Sequence, residues 1–399
     1  MNHFPRILTG LLCAVCLLSC KQEYDETELL ALLGEAEAQI DVLQERSDTI
    51  ARKIATVKAL VEIQQNKDLI TEVEPVYQDG DFIGYNVSFE LHDPIFIANG
   101  DIELFTHSTA GDGSYTFGLT DGSSVSIPTA HPGAILFRFS VAQGCYVYFS
   151  KGNLQYHCKN RVWRFAEPQW ATIGDIYTQV DANYNGWISH FGWGTSGYHN
   201  PSDTKNIHYQ PYDMVYESNG TSYPSTGYGP QTAFDNGGLY VGNREYDWGV
   251  HNAIANGGNR ANVWRTMTMY EWQYVIDARP RYSDLRSICT VDGVLGMVLM
   301  PDEYYSIAPR GSFTADEFSQ YERYGAVFLP AEGYRYGTKM YDLGTNGFYW
   351  SSSQILSSTA GCANFRIDQT YHTEVYRASQ SWNKPYGLTI RLVQDVPAK

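Results

Sequence analysis

What this sequence has little of removes whole classes of function. Basic residues are scarce: 28 Lys and Arg stand against 44 Asp and Glu, a net charge of −16. Nucleic acid and anionic lipid need a cationic footprint, so both are disfavoured as partners. Cysteines are few, and none of the four beyond the first twenty residues has CxxC spacing for zinc or redox work. The apolar run Ile7 to Leu18 is too short for a comfortable membrane span. Gly-x-Ser-x-Gly elbows, His-Glu-x-x-His helices and isolated glycosidase-like acid pairs are missing. Tyr, by contrast, reaches 31, with 36 Gly and 9 Trp. Such a composition suits a loop-rich, β-rich extracellular domain with exposed aromatics better than a cytosolic helical enzyme. At 399 residues the chain has room for two or three domains.

The first twenty residues read as an address. Arg6 supplies a positive start, the apolar run follows, and Leu17-Leu18-Ser19-Cys20 closes it. This resembles the lipobox of bacterial lipoproteins, which implies cleavage before Cys20 and lipidation of its thiol. Lys21 in place of Asp implies the outer membrane, with Glu23, Asp25 and Glu26 a weak pointer to the cell surface. Acyl chains at about 0.8 kcal/mol per buried methylene make two or three of them a lasting anchor. Cys13 and Cys16 leave with the signal, and Cys145, Cys158, Cys289 and Cys362 remain. Three pairings are open to them, and so is a free-thiol state.

From Leu29 the apolar residues step by three and four: Leu29, Leu33, Ala36, Ile40, Leu43, then Ser47, Ile50, Ile54, Val57 and Val61. So narrow a stripe predicts a coiled-coil seam roughly 50 Å long, through which a homo-dimer or homo-trimer would form. A single helix folded back on a neighbouring domain is the alternative. After Asn66 the period becomes two. Ile70 to Tyr77, Asp79-Gly80, and Phe82 to Phe89 predict a hairpin with Ile83, Tyr85, Val87 and Phe89 on one face; Tyr115 to Leu119, Asp121-Gly122, and Val125 to Ile127 predict a second. Coil followed by this strand pattern, over Glu28 to Ile127, is similar to a domain of unknown function that opens many anchored surface lipoproteins of gut-type bacteria. Pro128, Pro132 and Gly133 then punctuate a linker.

Within Trp264 to Arg279, Thr268 and Glu271 predict a capping box, with Trp272, Val275 and Ile276 as the buried stripe. This stretch resembles the helix of the formylglycine-generating-enzyme branch of the C-type-lectin fold. Val147 to Tyr156, Phe191 to Gly194, Tyr246 to Gly249, Val298 to Asp302, Phe328 to Arg335, Tyr349 to Ser353 and Leu388 to Val393 add to the resemblance. Together they look most like the major-paralogous-domain branch of secreted surface proteins. The expected fold class is therefore α+β: lipoprotein signal (1–20), coiled-coil stalk (21–66), small antiparallel β domain (67–130), and a large, loop-rich C-type-lectin-like domain (131–399).

Gly344 to Val393 organises that last domain. Phe348-Tyr349-Trp350 forms one apolar strand, and Leu388, Ile390 and Leu392 alternate with Thr389, Arg391 and Val393 as a strand with one face on a core. Between them lie polar and aromatic residues suited to a displayed binding surface or to ordinary hairpins with polar outer faces. The candidate ligand-binding set is Gln354, Asn364, Arg366, Asp368, Tyr371, His372, Glu374, Tyr376, Arg377, Trp382, Asn383 and Tyr386.

Catalytic and metal chemistry is not expected. Gly192 to Gly197 matches G-x-G-x-x-G without a βαβ context, so a tight structural loop is the better account. The formylglycine-generating oxidases use a copper-binding cysteine pair late in the fold, where this chain offers only Cys362. Calcium-dependent lectins use a Glu-Pro-Asn loop and a Trp-Asn-Asp strand. Here Glu167-Pro168-Gln169 comes too early, and Trp382-Asn383-Lys384 puts a like charge where the metal needs a carboxylate. His190, His199 and His208 stand nine apart, too loosely for a metal site. No catalytic residue, cofactor or metal is assigned. The expectation is an adhesin-like surface protein binding a glycan or protein. An envelope- or pilus-assembly subunit is the alternative from another class, and an enzyme on this fold the third. The Asn, Tyr, Asp, His, Ser and Thr between Ser351 and Tyr386 are also similar to the C-terminal repeat of variable proteins diversified by retroelements.

Overall fold

A computed structural model of the chain describes residues 26–100, 103–107, 114–118, 124–176, 180, 183–199, 201, 209–212, 238–240, 246–337, 339–356, 358–367 and 373–396. Cys20, the Asp121-Gly122 turn, His208, Asp368, Tyr371 and His372 lie outside these residues. The described chain falls into two units, divided between Lys58 and Ala59. Helix α1, Glu26–Gln65, runs across that division. Its apolar residues repeat at heptad steps without Pro, so the backbone can stay helical for forty residues.

The second unit is mixed α+β, with many antiparallel strands and few helices. Its first strands are β1 (Ile70–Gln78), β2 (Asp81–Phe89) and β3 (Ile95–Ala98), then β4 (Glu103–His107), β5 (Ser114–Gly118) and β6 (Ser124–Pro128). Both expected hairpins are present, as β1–β2 and β5–β6. Gly80, at φ +95, turns the first, a conformation that favours glycine. On β2 the expected alternation holds from Tyr85 onward, where Tyr85, Val87 and Phe89 are buried while Asn86 and Ser88 are partly exposed; Ile83, expected on the same buried face, is only partly buried, and Gly84 beside it is buried. The third strand of each sheet, β3 and β4, was not expected.

Strands β7 (Phe139–Ala142), β8 (Cys145–Phe149), β9 (Leu154–His157), β10 (Val162–Phe165) and β11 (Trp187–Ile188) follow, then α2 (Trp248–His251), β12 (Arg265–Thr266) and α3 (Met269–Gln273). After α3 come β13 (Arg286–Val291), β14 (Val294–Leu299), β15 (Gly311–Phe313), α4 (Ala315–Glu322), β16 (Val327–Pro330), β17 (Tyr334–Tyr336) and β18 (Lys339–Tyr341). The last strands are β19 (Asn346–Leu356), β20 (Thr359–Ile367), β21 (Glu374–Asn383) and β22 (Leu392–Asp395). Two four-stranded sheets run β12-β22-β8-β7 and β15-β13-β14-β16, and β22 pairs Val393 with Phe149. The end of the chain is thereby stitched to strands nearly 250 residues earlier.

Tryptophan builds the centre. Trp193, Trp248, Trp264, Trp272 and Trp350 are all below 2 % exposed. A buried indole must still place its N–H, and each finds a backbone carbonyl: Ser351 (2.7 Å), Thr195 (3.1 Å), Gly257 (2.8 Å), Trp350 (3.3 Å) and Phe191 (2.7 Å) respectively. Four of these bonds cross between distant segments, so the aromatic core also fixes register.

The β1–β3 sheet packs against the rest of the unit. The Arg138 guanidinium reaches Glu72, Glu74 and Glu303 together, and Tyr85 donates to the Arg323 carbonyl at 2.8 Å. Burial pushes the Glu303 carboxyl up to about 7 against the pull of Arg138.

One expectation needs correction. Leu388 to Val393 does not show one face to a core and one to solvent, because Thr389 and Arg391 are 0 % exposed like their apolar neighbours. Arg391 donates to Gln169 Oε1 at 2.8 Å and to the Phe328 carbonyl, and the Thr389 hydroxyl donates to the Phe348 carbonyl. Polar residues alternate here because the interior supplies partners on both sides.

Candidate functional site

Helix α3, against which the sheet β19-β20-β21 packs, carries the expected cap. Thr268 Oγ1 accepts the Glu271 N–H, and Glu271 returns the bond to the Thr268 N–H at 2.7 Å. Arg265 grips the same carboxylate with both ends of its fork, at 2.9 and 2.7 Å. Trp272, Val275 and Ile276 are buried as expected, the last two on a π turn over Tyr274–Ala278. A Cβ at Gly361 would come within 2.8 Å of Ser351 Oγ and 3.0 Å of Met269 Sδ, so the missing side chain is what lets α3 sit on β20. The Ser352 N–H donates to the Met267 carbonyl and the Met269 N–H to Ser353 Oγ, which locks β19 to the start of α3.

The candidate residues divide by the work they do inside this frame. Asn364 is buried and donates to the Gly347 carbonyl at 3.0 Å. Glu374 accepts from the Ile288 N–H (3.1 Å), from Arg310 (3.3 Å) and from the Tyr376 hydroxyl (2.8 Å). Burial opposes its charge, but these donors hold the Glu374 carboxyl below the usual range. Tyr376 lies under the Arg286 guanidinium, 4.0 Å from its ring, and burial with the neighbouring Glu374 charge raises its phenol. Glu374 and Tyr376 thus pin the sheet to β13 and its surroundings, while Asn364 ties β20 to β19.

Gln354 accepts from Lys384 Nζ at 3.0 Å, and that buried ammonium also sits 4.6 Å from the Trp193 ring. Burial pulls Lys384 down to about 8. Arg366 is half-buried at the end of β20. Along β21 the pattern changes: Arg377, Ser379, Ser381 and Asn383 are exposed, while Ala378 between them is buried. They form an outward row at strand spacing.

Trp382 and Tyr386 join a ring cluster. Trp382 lies 4.6 Å from Phe348, 4.7 Å from Tyr334 and 5.5 Å from Tyr386. Tyr334 stacks on Tyr341 at 5.3 Å and on Tyr386 at 5.9 Å, and Tyr336 meets Tyr386 edge-on at 4.7 Å. Phe348 is buried beneath them, whereas Tyr334, Tyr336, Trp382 and Tyr386 are half-buried and Tyr341 is exposed. Tyr334, Tyr336 and Tyr341 were absent from the candidate set. Their signal was two tyrosines two apart followed by a third, which the β17–β18 pairing of Tyr334 with Tyr341 converts into one surface.

Beneath the sheet runs a closed polar network. The Ser189 hydroxyl and Asn153 amide donate to the two oxygens of Glu332, both at 2.7 Å, and Tyr349 donates to the Pro330 carbonyl at 2.8 Å. His190 Nε2 lies 3.0 Å from the Glu332 carbonyl oxygen and Ser189 Oγ is 3.3 Å from His190 Nδ1. All three side chains are essentially sealed from solvent. Burial pushes the Glu332 carboxyl up to about 7 despite its two donors, while burial and the Arg335 charge push His190 down to about 3. Ser189 points its proton at a carboxylate instead of at His190, so the trio braces the frame. Gln169, from the Glu-Pro-Gln stretch, is likewise internal, linking Arg391, Glu322 and the Phe328 N–H.

Cys145, Cys158, Cys289 and Cys362 are free thiols, all buried except Cys145. Burial with the Glu374 charge lifts Cys289 to about 12, and burial lifts Cys362 further. His190 and His199 do not converge; His199 stacks on Tyr209 at 4.4 Å. Among the described residues no three His, Cys, Asp or Glu side chains are grouped to hold a metal ion, and no helix is long and apolar enough to cross a membrane. No family model, curated protein or solved structure matches the chain.

Proposed function

We propose that this chain is a lipid-anchored surface protein of the outer membrane, whose C-type-lectin-like head binds a glycan or protein ligand without catalysis. The binding surface is the outward row of β21, Arg377 to Asn383, together with the tyrosine cluster of Tyr334, Tyr336, Tyr341, Trp382 and Tyr386. One observation carries the reading: half-exposed rings fixed by one another stand beside exposed polar side chains that the frame does not use. Ring faces stack on the apolar faces of sugars or on protein side chains at little entropic cost, and Asn, Ser and Arg orient the contact. Asn364, Glu374 and Tyr376 serve the frame and drop out of direct contact. The anchor rests on the lipobox-like Leu17 to Cys20, and diversification by a retroelement on the frequent Asn, Tyr, Asp, His, Ser and Thr between Ser351 and Tyr386.

The test is a glycan array, followed by pull-down against envelope and host-surface proteins, using residues 21–399 and the variants Tyr386→Ala and Asn383→Ala. A specific ligand whose binding drops at least about tenfold in both variants, with melting temperature held, is the expected result. Silence in both screens would sink the binding reading. Labelling with a radioactive fatty acid, lost in Cys20→Ala, tests the anchor. A nearby reverse-transcriptase gene with a template repeat differing only at adenines tests diversification, and its absence removes that part.

A further inference from the structure

We propose that α1 joins three copies of this chain into a parallel trimer through the seam of Leu33, Ile40, Leu43, Ile50, Ile54 and Val57. The described residues of the first unit, 26–58, all belong to this helix, and five of those side chains are between 43 % and 63 % exposed. Large aliphatic side chains spaced alternately by three and four residues make a straight apolar line on a helix, and a line of that period is matched by another copy of itself. A partner of different sequence would have to reproduce the same repeat over four heptads; a second and third copy do so by identity.

Two features select three chains over two. Setting Leu33 and Ile40 at heptad position a puts Leu43, Ile50 and Val57 at d, so in the half nearer Lys58 both kinds of seam position are β-branched: Ile50, Ile54 and Val57. β-branched residues at both positions shift the preference from two strands to three or four, and three is the smallest ring that meets it. In the other half, Leu30 and Leu32 fall at e and g and are 70 % and 58 % exposed, widening the stripe beyond what a two-stranded seam covers. A three-chain ring closed by rotation places all helices parallel, with their first residues together.

The arrangement has a charge signature. Lys53 falls at g and Lys58 at the facing e position of the neighbouring chain, so basic side chains flank the seam at that level. Ser47 occupies an a position and interrupts the seam.

Sedimentation equilibrium on residues 21–399 reads the outcome directly. The expected mass is three chains at micromolar concentration, and one chain in the double variant Ile40→Asp/Ile50→Asp, whose near-ultraviolet circular dichroism stays that of the parent because the second unit is untouched. Ser47→Ile is expected to lower the half-assembly concentration at least about tenfold. A parent mass of one or two chains overturns the proposal, and so does a trimer that survives the double variant. Assembly is measured without ligand, so a trimer that binds nothing would sink only the binding reading.

Discussion

Strands β20 and β21 lie side by side in one sheet, yet they live in different environments. From Ala360 to Phe365 every residue of β20 is buried, whereas β21 alternates exposed Arg377, Ser379, Ser381 and Asn383 with covered positions. Pairing explains much of this. β20 is hydrogen-bonded to β19 on one side and β21 on the other, and the missing side chain of Gly361 lets α3 approach closely. Position in the sheet, more than polarity of sequence, decides which strand is scaffold and which is surface: Asn364 is as polar as Asn383, but one is spent inside and the other faces out.

If β19 and β20 are scaffold, damage there should be felt globally. Trp350→Ala removes an indole that is fully buried and donates to the Phe191 carbonyl at 2.7 Å. Its loss is expected to cost about 3–5 kcal/mol, the range for emptying a large aromatic site. Denaturant unfolding reads it, and a cost near 1 kcal/mol would mean that the tryptophan centre is not what holds the sheet.

The next effect is smaller and depends on pH. The folded pKa of Glu332, about 7, lies above its ordinary value because the site is buried. A carboxyl raised in this way contributes stability that is full below its unfolded pKa of about 4.3 and is lost as pH climbs through 7. Roughly 4 kcal/mol is the upper scale of that loss. Glu332→Gln has no proton to lose, so the difference in unfolding free energy between parent and variant should change with pH only between about 4 and 7. A difference flat across that window would show that Glu332 is solvated or already ionised.

Much of the frame was legible in the sequence because local chemistry dictated it. The Thr268–Glu271 capping box, the Asp79-Gly80 turn and the heptad helix each follow from a few neighbouring residues. What was not legible depended on distant partners. Arg391 and Thr389 alternate like solvent-facing strand residues, and it takes Gln169 and the Phe328 carbonyl, both far away in sequence, to make the burial of Arg391 tolerable. Glu374 reads as a ligand-binding acid until Arg310 and the Ile288 N–H are found beside it. The tyrosine cluster escaped for the same reason, since Tyr334 and Tyr341 meet across a hairpin and then gather Trp382 and Tyr386 from later in the chain.

The smallest effect sharpens the comparison most. Ser379 and Ser381 point outward from β21, where a new side chain meets solvent instead of the core. Ser379→Tyr and Ser381→Asn should each shift unfolding free energy by less than about 0.5 kcal/mol, as surface changes usually do. The same substitutions placed on β20, such as Ala363→Asn, insert a polar group where a buried methyl packs and should cost on the order of 2 kcal/mol or more. Thermal unfolding of the three variants in parallel makes the measurement. Equal losses on both strands would mean that β21 is as constrained as its neighbour, and a surface so constrained could not accept varied residues for recognition. A tolerant β21 beside an intolerant β20 is what a binding face on a fixed frame requires, because recognition can then change by substitution while the fold beneath it stays the same.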